Sequence, residues 1–177
     1  MSLAIKLVIF AIVSAGIIFV SWTSFTRPRS YGFYRFFAFE LILALLLLNL
    51  ENWFNNPFSL FQIISWVLLI CSIVLVAHGV YLLRVAGRPK TGVESTTKLV
   101  KLGAYKYIRH PLYSSLLFLA WGAFFKDVSL IGGILALLCT GFLIATAKVE
   151  EAENLRKFGS EYSVYMKTTK MFIPFLF

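Results

Sequence analysis

Apolar residues along this chain come in five long runs separated by short polar breaks. The runs are apolar on all sides rather than along one stripe, which marks helices buried on every face or surrounded by lipid. A helix needs roughly twenty such residues to cross a hydrocarbon layer of about 30 Å. The runs cover residues 3–22, 33–50, 60–83, 111–125 and 128–147. Between them lie residues 23–32 with Arg27, Pro28 and Arg29, a turn at 51–57, a long polar segment at 84–110, and the tight turn Lys126-Asp127. Trp53 in the second break suits an interfacial anchor. Beyond the fifth run, Leu155, Phe158, Tyr162 and Tyr165 recur at spacings of three and four, predicting an amphipathic helix with a break at Gly159. The last residues, 171–177, are too few to span and are expected to pack at the interface. The expected fold is all-α: a polytopic integral membrane protein of about five transmembrane helices, with a helical hairpin and a C-terminal amphipathic helix. Residues 1–96 would supply helices one to three and the start of the polar loop. Residues 97–177 would form a functional core.

The fourth run is short. Fifteen helical residues reach only about 22 Å, against a core of about 30 Å. Irregular backbone at membrane depth is tolerated only where protein buries it or a cavity is lined, so the start of this run predicts a pocket. Polar residues inside the other runs have quieter readings. Arg35 can snorkel to the loop, and Glu40, two turns deeper, is expected to pair internally with a basic neighbour such as Arg35. His78 reads as a hydrogen-bonded packing residue. Cys71 and Cys139 are isolated within their runs and read as packing residues rather than a disulfide or metal pair. No convincing cleavage signal precedes Trp22, so the first run is expected to be a retained span.

Composition agrees with this picture: 59% hydrophobic, 14% charged and a mean hydropathy of +0.82, where soluble domains are nearer a quarter charged. The net charge of +9 invites a nucleic-acid reading, but no basic helix or nucleic-acid motif accompanies it. Fifteen of the seventeen Lys and Arg residues fall in segments 23–35, 84–110 and 148–177, leaving Lys6 and Lys126 for the other side. By the positive-inside rule the N-terminus is then outside, and the C-terminus and the polar clusters are cytoplasmic.

Candidate chemistry concentrates at residues 103–113, Gly-Ala-Tyr-Lys-Tyr-Ile-Arg-His-Pro-Leu-Tyr. Pro111 suits the first turn of a helix, where its missing N–H costs nothing. Arg109 and His110 then close the loop, and the 126–127 hairpin should bring His110 close to Glu150. Zinc would want three or four ligands, and no second histidine is near. Ser114 and Ser115 lie by His110 without the motif of an activated nucleophile, and no glycine-rich phosphate loop is present. What remains is a set of tyrosine faces, helix N-terminal donors and a carboxylate. Such a set suits a ligand with an onium cation, a nucleoside and a small anionic end.

These residues resemble the membrane-embedded isoprenylcysteine carboxyl methyltransferases and their phospholipid methyltransferase-like prokaryotic relatives. The likeness runs through Leu99, Val100, Gly103, Tyr105, Arg109-His110-Pro111 with Tyr113, Glu150-Glu151, Phe158-Gly159, Glu161-Tyr162, Tyr165 and Ile173-Pro174, about residues 97 to 174. It implies S-adenosylmethionine as methyl donor, with Thr97, Lys98, Leu99, Val100, Tyr105, His110, Pro111, Leu112, Tyr113 and Glu150 as cofactor contacts. Arg109 and Glu151 are candidates for a catalytic role, no metal is implied, and the acceptor would be a lipophilic molecule reached from the bilayer. The carboxyl-methylating members tend to carry an arginine one turn before the glutamate pair. This chain has Thr146 there, which leaves the acceptor open between a prenylcysteine-like carboxylate, a lipid amine and another lipophilic molecule. Two other readings stand beside this one: a membrane reductase, since sterol reductases resemble the same half, and a non-catalytic membrane protein keeping the fold.

Overall fold

The structure, a computed structural model, describes residues 1–25, 30–88 and 96–176. The loop residues Arg27, Pro28, Arg29, Lys90 and Glu94 lie outside the described residues. Six helices follow in order among the described residues: α1 Leu3–Phe25, α2 Tyr31–Leu48, α3 Leu60–Val85, α4 Pro111–Phe124, α5 Leu130–Phe158 and α6 Ser160–Thr168, with short 3₁₀ turns at Leu50–Asn52 and Gly103–Lys106. Four of them, α1, α2, α3 and α5, are long and apolar enough to cross a membrane, and no strand is present among the described residues. The helices run up and down. The start of α1 and the turns after α2 and α4 share one end, because the Met1 ammonium and Lys6 both reach Glu51, at 3.0 and 2.9 Å, while Asn52 donates to Asp127 at 2.8 Å.

Two boundaries differ from the sequence pattern for identifiable reasons. α2 stops at Leu48 rather than near residue 50 because Asn49, 1% exposed, turns its side chain to donate to the Ala123 carbonyl at 2.8 Å. With the rest of the amphipathic segment in α6, the fifth run and the part of that segment up to Phe158 form one helix of 29 residues. At 1.5 Å per residue it is about 43 Å long, so its polar end stands clear of a hydrocarbon layer of about 30 Å. It begins where the Ser129 hydroxyl accepts from the Gly132 N–H at 3.1 Å, and it ends at Gly159, the break the pattern predicted.

The short α4 is tolerated because protein surrounds it: nine of its fourteen residues are buried. It lies against α3 through small residues, with Ser65 donating to the Gly122 carbonyl and Ser72 to the Ser115 carbonyl, both at 2.7 Å. A Cβ on Gly122 would sit 2.9 Å from the Leu69 side chain, so the approach requires glycine. Close backbone contact of this kind drives helix association in lipid, where apolar burial between helices gains little. α2 packs on α5 around Ala38, Leu45, Cys139 and Leu143, all fully buried. α1 packs against α2, with none of its spanning window buried. In that interface the Ser14 hydroxyl donates to Glu40 at 2.5 Å, so a hydroxyl on α1 engages the carboxylate that the sequence paired with a base.

The far turn buries its lysine. Lys126 is 4% exposed, donates to Gln62 Oε1 at 2.9 Å, and lies 3.5 Å from the Trp66 ring centre and 5.3 Å from that of Trp53. Trp53, read from the sequence as an interfacial anchor, thus also faces this cation.

Candidate functional site

The polar segment before α4 is shaped by one glycine and by the chain's last residues. Gly103 has φ +55°, and an added Cβ would lie 2.4 Å from His78 Nε2 and 2.7 Å from Leu82, so the turn folds flat against α3. His78 is accordingly a packing residue at this contact. The 169–174 tail then docks alongside residues 107–110. Lys170 donates to the Tyr107 carbonyl at 3.0 Å, Arg109 N–H to the Lys170 carbonyl at 2.8 Å, and His110 N–H to the Met171 carbonyl at 3.2 Å. Ser114 Oγ donates to the Phe172 carbonyl at 2.8 Å, and Phe172 is 1% exposed. The end of the chain, expected at the interface, is thus anchored in the core, with Phe175 and Leu176 outside.

Arg109 joins three segments. Its Nε donates to Glu151 Oε1 at 2.5 Å, and its Nη1 donates to the carbonyls of Thr169 at 2.5 Å and Met166 at 3.3 Å. Both side chains of the ion pair are at most 10% exposed. His110 sits beside it, 4% exposed, with Nε2 3.3 Å from the same Glu151 oxygen and Nδ1 3.8 Å from Glu150 Oε2. Its ring stacks on Tyr113 at 5.4 Å and meets the edge of Phe172 at 6.2 Å. The proximity of His110 and Glu150 inferred from the hairpin is therefore present.

A polar cavity opens beside these groups. Of the residues named from the sequence, Leu99, Val100, Tyr105, Arg109, His110, Leu112, Tyr113 and Glu150 line it. Thr97, Lys98, Pro111 and Glu151 do not. The Thr97 hydroxyl donates to the Arg88 carbonyl at 3.0 Å, Lys98 is exposed, Pro111 is buried at the first position of α4, and Glu151 points into the Arg109 contact. The lining also includes Leu83, Thr96, Asn154, Phe158, Tyr162 and Tyr165. Asn154 and Phe158 were findable, since they lie one and two turns after Glu150 on the same helical face. Burial pushes the phenols of Tyr162 and Tyr165 above their usual range, helped at Tyr162 by the Glu151 charge and at Tyr165 by Tyr162. Both are therefore neutral hydrogen-bonding groups near pH 7, and Tyr165 donates to the Tyr105 carbonyl at 2.6 Å. The cavity encloses about 70 Å³, below the ~300 Å³ of a small-molecule cleft.

On the other side of the 104–108 turn lies an apolar cleft of about 340 Å³, lined by Ile70, Cys71, Val74, Leu75, Ala104, Tyr107, Ile108, Phe118, Phe172 and Pro174. Ile70 and Val74 are 58% and 60% exposed on the outer face of α3, the side that lipid would cover. Ile108 and Phe172, 3% and 1% exposed, line the cleft, and the edge of Phe172 meets His110, which lines the cavity. Among the described residues no group of three metal-ligating side chains occurs.

The phospholipid methyltransferase profile covers residues 60–161, more than half of the chain, and the chain belongs to that family. A curated relative, the methanethiol S-methyltransferase of Pseudomonas deceptionensis, is 28% identical over 117 residues, which are 64% of this chain and 43% of that protein. This chain thus spans less than half the length of that relative. No solved structure matches it.

Proposed function

We propose that the protein is a membrane methyltransferase that takes its methyl group from S-adenosylmethionine and passes it to a lipophilic acceptor, with the site on the cytoplasmic side. The observation that carries this reading is the pairing of the two cavities, one polar and one apolar, on either side of the 104–108 turn. The chemistry of the polar lining fits the donor. Tyr105, Tyr113 and Tyr162 offer aromatic faces to an onium centre and a purine. Glu150, 27% exposed, offers an acceptor for ribose hydroxyls or an ammonium group. When bound, the donor supplies an electrophilic methyl group. The chain's own contribution is to hold the reacting atoms at near-attack distance and to exclude water from them. The site faces the cytoplasm in this reading because Lys98, Lys101, Lys106, Lys167 and Lys170, all exposed, surround it.

The apolar cleft supports an acceptor with a hydrophobic body. The name of the bacterial relative extends the candidates to thiols. A carboxylate acceptor finds little support. Thr146 is fully buried and its hydroxyl returns to the Phe142 carbonyl at 2.7 Å, while Arg109 is engaged by Glu151.

Calorimetry of detergent-solubilised protein with S-adenosylhomocysteine tests the reading. Saturable binding is expected, weakened at least about tenfold in Glu150→Ala, a change worth ~1.4 kcal/mol. Absence of binding at millimolar ligand would sink it.

A further inference from the structure

Within the methyltransferase reading, on which this rests, we infer that His110 is the general base of the reaction and that the acceptor is therefore a nucleophile that carries a proton, a thiol or an amine, rather than a carboxylate.

The geometry begins with Glu151. It is buried and already ion-paired with Arg109, so it is a carboxylate able only to accept hydrogen bonds. Its Oε1 lies 3.3 Å from His110 Nε2, so that nitrogen carries the ring proton. The neutral ring then has its lone pair on Nδ1, on the side of Glu150 and the polar cavity. A buried carboxylate that fixes the tautomer while the opposite nitrogen faces the reaction space is how an oriented base is built. Stacking on Tyr113 and the edge of Phe172 keeps the ring from turning.

The position fits as well as the orientation. His110 lines the polar cavity and meets the edge of Phe172, which lines the apolar cleft, so the ring stands beside the boundary where a donor on one side and an acceptor on the other would meet. Methyl transfer to sulfur or nitrogen forms the new bond to carbon and breaks the donor's carbon–sulfur bond, whose electron pair stays on the donor sulfur. One proton of the acceptor is left over, and Nδ1 takes it. The imidazolium so formed lies between two carboxylates, Glu151 at Nε2 and Glu150 at Nδ1. The other charged or titratable groups facing the ring are Arg109, on its own loop, and Tyr113 of α4, while Tyr105, Tyr162 and Tyr165 share the cavity. A carboxylate acceptor has no proton to lose and would leave this arrangement without a task. The cleft agrees, since its lining contains no basic side chain to hold an anionic head.

The chain has two histidines, so ¹⁵N-histidine spectra in detergent are readable directly, with His78→Asn assigning the second signal. The neutral His110 ring is expected to be protonated on Nε2, and a proton on Nδ1 would overturn the inference. In a second experiment, labelled S-adenosylmethionine is offered decanethiol, decylamine or decanoate. Transfer is expected to the thiol or the amine, and His110→Asn should slow it by about 10²–10⁴, a far larger fall than any loss of S-adenosylhomocysteine affinity from this lining residue. Transfer chiefly to decanoate, transfer to none of the three, or loss of rate and affinity in step would each overturn it. If the wild-type protein does not bind S-adenosylhomocysteine, the methyltransferase reading itself fails, and the histidine spectrum still judges the geometry.

Discussion

Arg109 and Lys126 lie at opposite ends of α4, and each takes a cation out of water by a different route. Arg109 meets a carboxylate and two backbone carbonyls, so both its Nε and its Nη1 have partners. Lys126 meets one amide oxygen and two indole faces. The arginine ties α5, the loop before α4 and the tail to one another, and it holds Glu151 with Oε1 3.3 Å from His110 Nε2. The lysine closes the hairpin turn against α3 and leaves the carboxylate of its neighbour Asp127 to Asn52. Burial pulls the Lys126 ammonium below its usual value near 10.5, and cation–π attraction of about 0.5–2 kcal/mol offsets part of that cost. A buried ion pair thus ties segments together at one end, and a buried lone cation fills a packing niche at the other.

The largest effect should come from breaking the ion pair on one side only. Arg109→Ala leaves Glu151 charged and buried, which costs about 3–5 kcal/mol, and thermal unfolding in detergent should show it as a large fall in Tm. Arg109→Lys should recover only part, because a point charge cannot reach Glu151 and the tail carbonyls together. Next comes the backbone beneath the same end. Gly103→Ala forces a side chain into positive φ and against His78, at a cost of about 1–3 kcal/mol. Equal stability of that variant and the wild type would show that the ion pair alone fixes the loop.

Lys126→Met should change stability by less than about 1 kcal/mol, since a buried charge replaced by an apolar chain of similar shape is often neutral or favourable. The pH response gives a sharper test. With the folded value of Lys126 depressed, the unfolded chain holds the extra proton, so wild-type stability should rise as pH climbs from the folded value towards about 10.5. Lys126→Met should lack that rise, and an identical rise in both proteins would contradict the assignment. The smallest effect is expected at the periphery. Ser14→Ala removes the hydroxyl that α1 presents to Glu40, for which interhelical bonds in lipid average about 0.6 kcal/mol. A loss several times larger, seen in the same unfolding assay, would mean that α1 is bound more firmly than its exposed surface implies.

Much of this architecture was legible in the residue pattern. The apolar runs located the helices, Pro111 marked the start of α4, and Gly159 marked the end of α5. The short fourth run pointed to a pocket at its start, and the hairpin turn brought His110 to Glu150. These features depend on neighbours in sequence or on a simple fold-back, so local preference and helix length are enough to find them. Other features were out of reach. Glu150 and Glu151 are adjacent in the chain, yet one lines the cavity and the other is held by Arg109 outside it. That division follows from the rotation of α5 about its own axis, which packing against α2 sets and no motif spells out.

The sequence by itself determined that this is a helical membrane protein, that its polar chemistry gathers before α4 and along the end of α5, and that its motifs belong with methyltransferases. Only the tertiary structure decided that Phe172 returns from the tail to form a cavity wall, that Ser14 answers Glu40, and that Lys126 is boxed by Trp66 and Trp53. The reason is physical: helix formation is a short-range choice of backbone and hydropathy. Which buried polar group meets which partner depends on the depth and rotation of several packed helices at once.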